Sequence, residues 1–255
     1  MITEYSRPNT IPEAMALLAR KSLQSYPLGG GTYLNRPQDA SYAVVDLQAL
    51  GLCEIIRKGN DVEIGATATL QEVLEFEGFP EDVYRAIKLE TTYNLRQMAT
   101  IAGTLVTATG RSPLATILLS SDASLEELEY KQKPKRVKLG DWLPMREARK
   151  PGALISKIIM AGNGKISYEY ISRSPADQAI VCAAVTRWPS GRTRLVLGGY
   201  GKAPVMALDG AEAEGIESAA KSAYSHAGDE WASAEYRSEM AGILATRCLD
   251  RLNQT

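Results

Sequence analysis

The chain of 255 residues is 45 % apolar and 23 % charged, an ordinary globular composition that excludes disorder, and its 29 basic residues balance 30 acidic ones, leaving no basic footprint for nucleic acid or an anionic membrane. Three scattered cysteines (Cys53, Cys182, Cys248) and a single histidine, His226, exclude a zinc knuckle, an iron–sulfur cluster built from this chain alone and a Ser-His-Asp triad. No secretory h-region opens the sequence and no apolar run reaches the roughly 18 residues of a membrane span, so the expected setting is the cytoplasm.

Thr10-Ile11-Pro12-Glu13 is a T-x-x-E capping box with proline in the first turn, and Ala14, Leu17 and Leu18 supply the apolar stripe of a first helix. An apolar entry then leads into "YPLGGGTYLNRP" (26–37), and "YAVVDL" (42–47) reads as a buried strand. These form an α/β lobe over residues 1–57. The second lobe, 58–163, starts with "DVEIGATATL", where Val62, Ile64 and Ala66 alternate with polar or glycine positions and Thr69 with Glu72 repeats the capping box. A helix is expected through "EDVYRAIKLE", a second glycine-bearing turn at Ala102–Gly103, and a helical run over Leu114 to Leu119. The basic "YKQKPKRVKL" (130–139) reads as a solvated surface loop, and "RKPGALISKIIM" (149–160) as a Pro/Gly-marked connection. In the last domain, 164–255, strands are expected in "KISYEYIS", "AIVCAAVTRW" and "TRLVLGGY", the last two joined by the turn "PSGR", before a long helix that starts near Ser233 or Ala234.

Three consecutive glycines, Gly29 to Gly31, weaken a fold unless something approaches the main chain closely. The usual visitor is a phosphate. A Walker A loop is excluded because Tyr33, not lysine, follows Thr32, and the G-x-G-x-x-G fingerprint is excluded by spacing. On its own a triple glycine is weak evidence for a ligand.

Five segments change that reading: "PLGGGTYL", "VVDLQAL", "VEIGATATLQEV", "LRQMATIAGTLVTA" and "SAEYRSEMAGILATRCL". In this order and spacing they resemble the FAD-binding medium subunit of the xanthine dehydrogenase and carbon monoxide dehydrogenase group of molybdenum hydroxylases, over nearly the whole chain. The resemblance implies an α+β fold: a two-lobed FAD-binding domain like that of the vanillyl-alcohol oxidase flavoproteins, followed by a smaller domain with an antiparallel sheet and a helical bundle. It also implies an oxidoreductase subunit that holds FAD non-covalently, has no catalytic side chain and no metal of its own, and works in a heteromeric complex. Its partners would be an iron–sulfur subunit and a molybdopterin-binding subunit, with electrons passing from the clusters through the flavin to an external acceptor.

The matching positions are Leu28, Gly29, Gly30, Gly31, Thr32, Tyr33 and Leu34 in a first loop, and Thr100, Ile101, Ala102, Gly103 and Thr104, with Thr107 beyond them, in a second. The two are expected to converge on the diphosphate, which exposed main-chain N–H groups can neutralise without a cationic side chain. Ile64, Leu154 and Gln178 match positions near the cofactor, Ile64 and Leu154 being equally readable as ordinary core. The chain departs from the family at Ala102 and Thr104, where the second loop usually reads T-I-G-G-N, and also at Pro113, Tyr33 and Gln178. A hydrogen bond lost to a charged group costs about 1.5–3 kcal/mol, so these departures keep open a degenerate relative that serves as a scaffold or docking subunit without flavin. A stand-alone module for another nucleotide is the third possibility.

Overall fold

The structure, a computed structural model, describes residues 1–35, 40–148, 152–175 and 177–254; residues 149–151 of the Pro/Gly-marked connection lie outside the described residues. Strand β1 (Ile2–Ser6) is short and mostly exposed, which is why no apolar alternation announced it. Helix α1 (Ile11–Leu18) starts where the capping box requires, with Thr10 Oγ1 accepting from the Glu13 N–H and the Glu13 carboxylate accepting from the Thr10 N–H. β2 (Ser25–Leu28) runs into the glycines, and β3 (Tyr42–Asp46) is buried throughout. β3 lies between β1 and β2 and pairs with both in parallel, with Leu28 opposite Asp46. β4 (Ile55–Lys58) and β5 (Asp61–Gly65) form an antiparallel pair, and Thr69 with Glu72 caps α2 (Leu70–Glu75) as the sequence predicts.

Helix α3 (Glu81–Glu90) occupies its predicted stretch, and a short α4 (Tyr93–Arg96) follows. The expected turn at Ala102–Gly103 is instead inside a helix, α5 (Ile101–Thr107). Thr100 starts it: the Gly103 N–H donates to Thr100 Oγ1 and the Thr104 N–H to the Thr100 carbonyl. Ala102 carries no strain there, since among the described non-glycine residues only Asp122 and Lys131 have positive φ. α6 (Pro113–Ser120) is capped by Ser112, whose Oγ accepts from the Ala115 N–H; Pro113 in the first turn fits a position that has no partner for an N–H.

The basic stretch 130–139 is only partly a loop. β7 (Lys135–Lys138) pairs antiparallel with β6 (Ser124–Leu128) at a sheet edge, where its charged side chains stay exposed and discourage edge-to-edge pairing. After α7 (Leu139–Met145), β8 (Leu154–Ala161) joins a five-stranded sheet in the order β4-β5-β8-β6-β7. The remaining elements are β9 (Lys165–Ile171), β10 (Val181–Arg187), β11 (Thr193–Gly198), β12 (Val205–Gly210), α8 (Ile216–Ala223) and α9 (Ala234–Gln254). The four strands form an antiparallel sheet in the order β12-β11-β10-β9; β12, largely exposed, is the member that the sequence pattern left unread.

By contacts the chain forms two compact units: one of residues 1–76, 93–107 and 124–159, the other of residues 77–92, 108–123 and 160–255. The chain thus crosses between them, and α3 and α6, assigned by sequence order to the second lobe, group with the C-terminal segment. In the first unit, Ala14, Met15 and Leu18 of α1 bury against Val45 and Leu47 beside Leu128 and Leu154. In the second, period-two alternation along β10 sends Val181, Ala183 and Val185 into a core with α8 and α9, while Cys182 and Thr186 meet Thr116 and Ser120 of α6. Arg237 of α9 is 0 % exposed; it donates to the carbonyls of Ile180 and Ala227 and pairs with Asp229 at 2.7 Å.

Candidate functional site

The segment after β2 has a consistent polarity that follows from its anchors. The Leu28 carbonyl accepts from the Leu47 N–H at 3.0 Å, the Gly29 carbonyl from Gln48 Nε2 at 3.4 Å, the Gly31 carbonyl from the Asn35 N–H at 3.2 Å and the Leu34 carbonyl from the Tyr42 hydroxyl at 2.9 Å. A trans peptide is planar, so its C=O and the following N–H point in opposite directions. Holding those carbonyls inward turns the N–H groups of Gly29, Gly30 and Thr32 outward. Among the described residues, none accepts from the N–H of Gly29, Gly30, Gly31 or Thr32. Gly31 also needs its missing side chain, because its φ is +70°.

The second segment lies against the first. A Cβ on Gly30 would sit 1.5 Å from the carbonyl oxygen of Met98, and one on Gly29 would sit 2.7 Å from Thr100 Oγ1. Two backbones approach so closely only where neither carries a side chain on the facing side. The segment that holds Thr100 is laced to the 66–70 turn: the Leu70 N–H donates to the Ala99 carbonyl, Ile101 to Ala68 and Ala102 to Ala66. Thr100 is buried, and its Oγ1 accepts from the Gly103 N–H, so its own hydroxyl proton has no acceptor among the described residues.

The expectation that 100–104 offers a loop of free main-chain donors is therefore corrected. The N–H groups of Ile101, Ala102, Gly103 and Thr104 are all engaged within the chain, and the hydroxyls of Thr104 and Thr107 donate to the carbonyls of Thr100 and Gly103. Residues 101–107 form a wall whose first four N–H groups are engaged, and Thr100 supplies a hydroxyl that has no acceptor among the described residues. Thr32 and Tyr33 are exposed at the rim. Ile64 is buried in β5 opposite Ile55, and Leu154 is part of the core around α1, so each has a packing role. Gln178 is exposed in the second unit.

Four main-chain amides without an acceptor among the described residues, three of them turned outward, and one threonine hydroxyl, with no cation among them, form a neutral donor set of the kind that binds an anion such as a diphosphate. The residues present fit that group. Gln48, Tyr42 and the Met98 carbonyl shape the cradle; all three lie in segments quoted from the sequence, but none is assigned a role there, because a carbonyl's partner leaves no periodic trace in sequence. Asp46 is buried; its carboxylate accepts from the Gln48 N–H at 3.0 Å and from the Tyr5 hydroxyl, and that hydrogen bond raises the phenol's pKa above its usual value. Among the described residues no group of three or more His, Cys, Asp or Glu side chains could hold a metal ion.

Residues 1–160 match the family described as the FAD binding domain in molybdopterin dehydrogenase. The carbon monoxide dehydrogenase medium chain of Afipia carboxidovorans is 28 % identical over an alignment that covers 97 % of this chain and 96 % of its own. Among solved structures, the reconstituted CO dehydrogenase from Oligotropha carboxidovorans aligns with a TM-score of 0.81 at 26 % identity, covering 97 % of this chain and 96 % of that one. The cyanide-inactivated form of the Cu,Mo-CO dehydrogenase aligns with a TM-score of 0.84 at 24 % identity, over 98 % and 97 % of the two chains, a likeness of fold. The match over residues 1–160 shows that the chain belongs to the family of FAD-binding domains of molybdopterin dehydrogenases.

Proposed function

We propose that this chain is the FAD-binding electron-transfer subunit of a molybdopterin-dependent dehydrogenase. The observation that carries the reading is the cradle of four free main-chain N–H groups at Gly29–Thr32 facing Thr100, inside the segment that matches the flavin-binding family. The diphosphate of FAD would lie against those amides and the Thr100 hydroxyl, with Leu28, Tyr33 and Leu34 at its margins. Neither segment contains a cysteine or histidine, so attachment is non-covalent. Bound FAD supplies reversible acceptance and release of one or two electrons; the chain's own residues bind it, orient it and set its surroundings.

The complex would include an iron–sulfur subunit and a molybdopterin subunit, as the kinship with a carbon monoxide dehydrogenase medium chain suggests. Substrate oxidation then occurs on a partner, and this chain passes electrons to an external acceptor. Three free cysteines suit a reducing cytoplasm. No helix among the described residues is long and apolar enough to cross a membrane.

The test is the visible spectrum of the protein as isolated, followed by titration of the stripped protein with FAD. A yellow protein with flavin bands, or saturable uptake of one FAD per chain, is the expected result. A colourless protein that takes up no FAD overturns the reading; co-purification with both partners but without flavin would make it a scaffold.

A further inference from the structure

Three anchored carbonyls, those of Leu28, Gly29 and Gly31, turn the amides that follow them outward, and two of the three are held by main-chain N–H groups. Of these three, only the Gly29 carbonyl is held by a side chain, that of Gln48, at 3.4 Å. We propose that Gln48 is a positioning residue for the cofactor cradle: by holding the Gly29 carbonyl it fixes the Gly29–Gly30 peptide plane and presents the Gly30 N–H to the ligand.

The physical basis is the freedom of that peptide. With no Cβ on either side, the plane between two glycines rotates at little steric cost, and a flipped plane would offer a carbonyl oxygen where the cradle needs a donor. Presenting an acceptor to a diphosphate is repulsive, so the sign of the site at this position depends on which way the plane faces. Gln48 is itself held in place. Asp46, buried at the end of β3, accepts from the Gln48 N–H at 3.0 Å, and the same carboxylate takes the Tyr5 hydroxyl from β1 and lies 3.7 Å from Arg7 Nε. Because Leu28 pairs with Asp46 at the end of the β2–β3 register, Gly29 on one strand's exit and Leu47–Gln48 on the other's follow directly from neighbouring positions. The turn after β3 and the glycine segment after β2 therefore leave the parallel sheet side by side, and Gln48 bridges them.

Gln48 touches no cofactor atom by this account, so it acts through Gly30. The inference rests on the flavin-binding reading above, and the experiment separates the two. Wild type, Gln48→Leu and Gln48→Glu are stripped of ligand and titrated with FAD and, separately, with ADP, which carries the diphosphate without the flavin. Thermal unfolding of each stripped protein is measured alongside. Leu removes the donor, and Glu places an acceptor against the carbonyl. The expected result is a loss of affinity of about three- to tenfold for Gln48→Leu, and a larger loss for Gln48→Glu, shared by FAD and ADP, with an unchanged unfolding midpoint. The phosphorus-31 resonances of bound FAD are expected to shift in both variants, a readout that a loss of general packing would not produce. Equal affinity in all three proteins overturns the role of Gln48 while leaving the flavin reading intact; wild type that binds neither ligand overturns the flavin reading itself. A lowered midpoint with unshifted phosphorus resonances would make Gln48 merely structural.

Discussion

Substituting alanine for Gly30 is the most direct probe of the cradle. The added Cβ would lie 1.5 Å from the Met98 carbonyl oxygen, whereas ordinary contact begins at 3.4 Å, so the two segments must separate by about 1.9 Å. Met98 cannot yield by rotating a side chain, because the obstacle is its main chain, and the neighbouring Ala99 and Ile101 are bonded to the 68–70 turn. Overpacking of this kind costs about 1–3 kcal/mol of stability. Opening the cradle also withdraws at least one amide from a charged ligand at about 1.5–3 kcal/mol, which weakens FAD binding by roughly one to two orders of magnitude. The assay pairs FAD titration with denaturant unfolding across two double-mutant cycles. Gly29→Ala meets the Thr100 side chain, with Oγ1 at 2.7 Å and Cγ2 at 3.0 Å, so adding Thr100→Ala is expected to restore much of the lost stability. Adding Met98→Ala to Gly30→Ala is expected to restore none. If Gly30→Ala unfolds and binds FAD as wild type does, or if Met98→Ala rescues it, the close backbone approach is refuted.

Further outcomes concern the second unit. Glu90 is half-buried, with no cation paired to it among the described residues; its carboxylate accepts from the Ser112 hydroxyl and the Leu114 N–H, and desolvation raises its pKa above the ordinary 4.5. A carboxyl whose folded pKa lies above its unfolded value loses stability as pH rises from the unfolded value through the folded one. Glu90→Gln keeps an acceptor and removes the charge, so the difference in unfolding free energy between the variant and wild type is expected to shift in the variant's favour as pH rises above 4.5; a pH-independent difference would count against the assignment. Arg237 is fully buried, so Arg237→Met leaves the carbonyls of Ile180 and Ala227 without their donor, while Asp229 keeps the N–H groups of Trp231 and Ala232, and the loss of those buried bonds is expected to cost about 1–3 kcal/mol or more in chemical denaturation. A loss under about 1 kcal/mol would show that water satisfies those groups.

The parts of the fold legible in sequence are those with a local chemical signature. Thr10 with Glu13 and Thr69 with Glu72 specify helix starts through reciprocal side-chain bonds three residues apart, and both form. The buried run Tyr42–Asp46 and the "PSGR" hairpin are equally local. β1, β12 and β7 were not legible because exposed edge strands lack apolar alternation, and membership of α3 and α6 in the C-terminal unit depends on contacts distant in sequence. At the site, the glycine run was legible because it sits among five ordered segments that resemble one family, and the close approach of Met98 to Gly30 accounts for it. The helical state of 101–107 was not: Ala102–Gly103 resembles a turn until Thr100 is seen to cap it through the Gly103 N–H.

That misreading bears on how much the departures from the family pattern matter. Had residues 101–104 been a nest of free amides, alanine at 102 and threonine at 104 would each have threatened a donor. Their N–H groups instead close on Ala66 and Thr100, so a methyl at 102 packs into the wall and leaves the number of outward amides unchanged. The Thr104 hydroxyl is likewise turned back on the Thr100 carbonyl. Affinity for a dinucleotide diphosphate then rests on residues 29–32 and on Thr100, none of which is among the departures from the family pattern at Tyr33, Ala102, Thr104, Pro113 and Gln178. The two segments thus divide the work, one presenting donors and the other holding them in place, and substitutions in the second are tolerated as long as its backbone still meets Gly30.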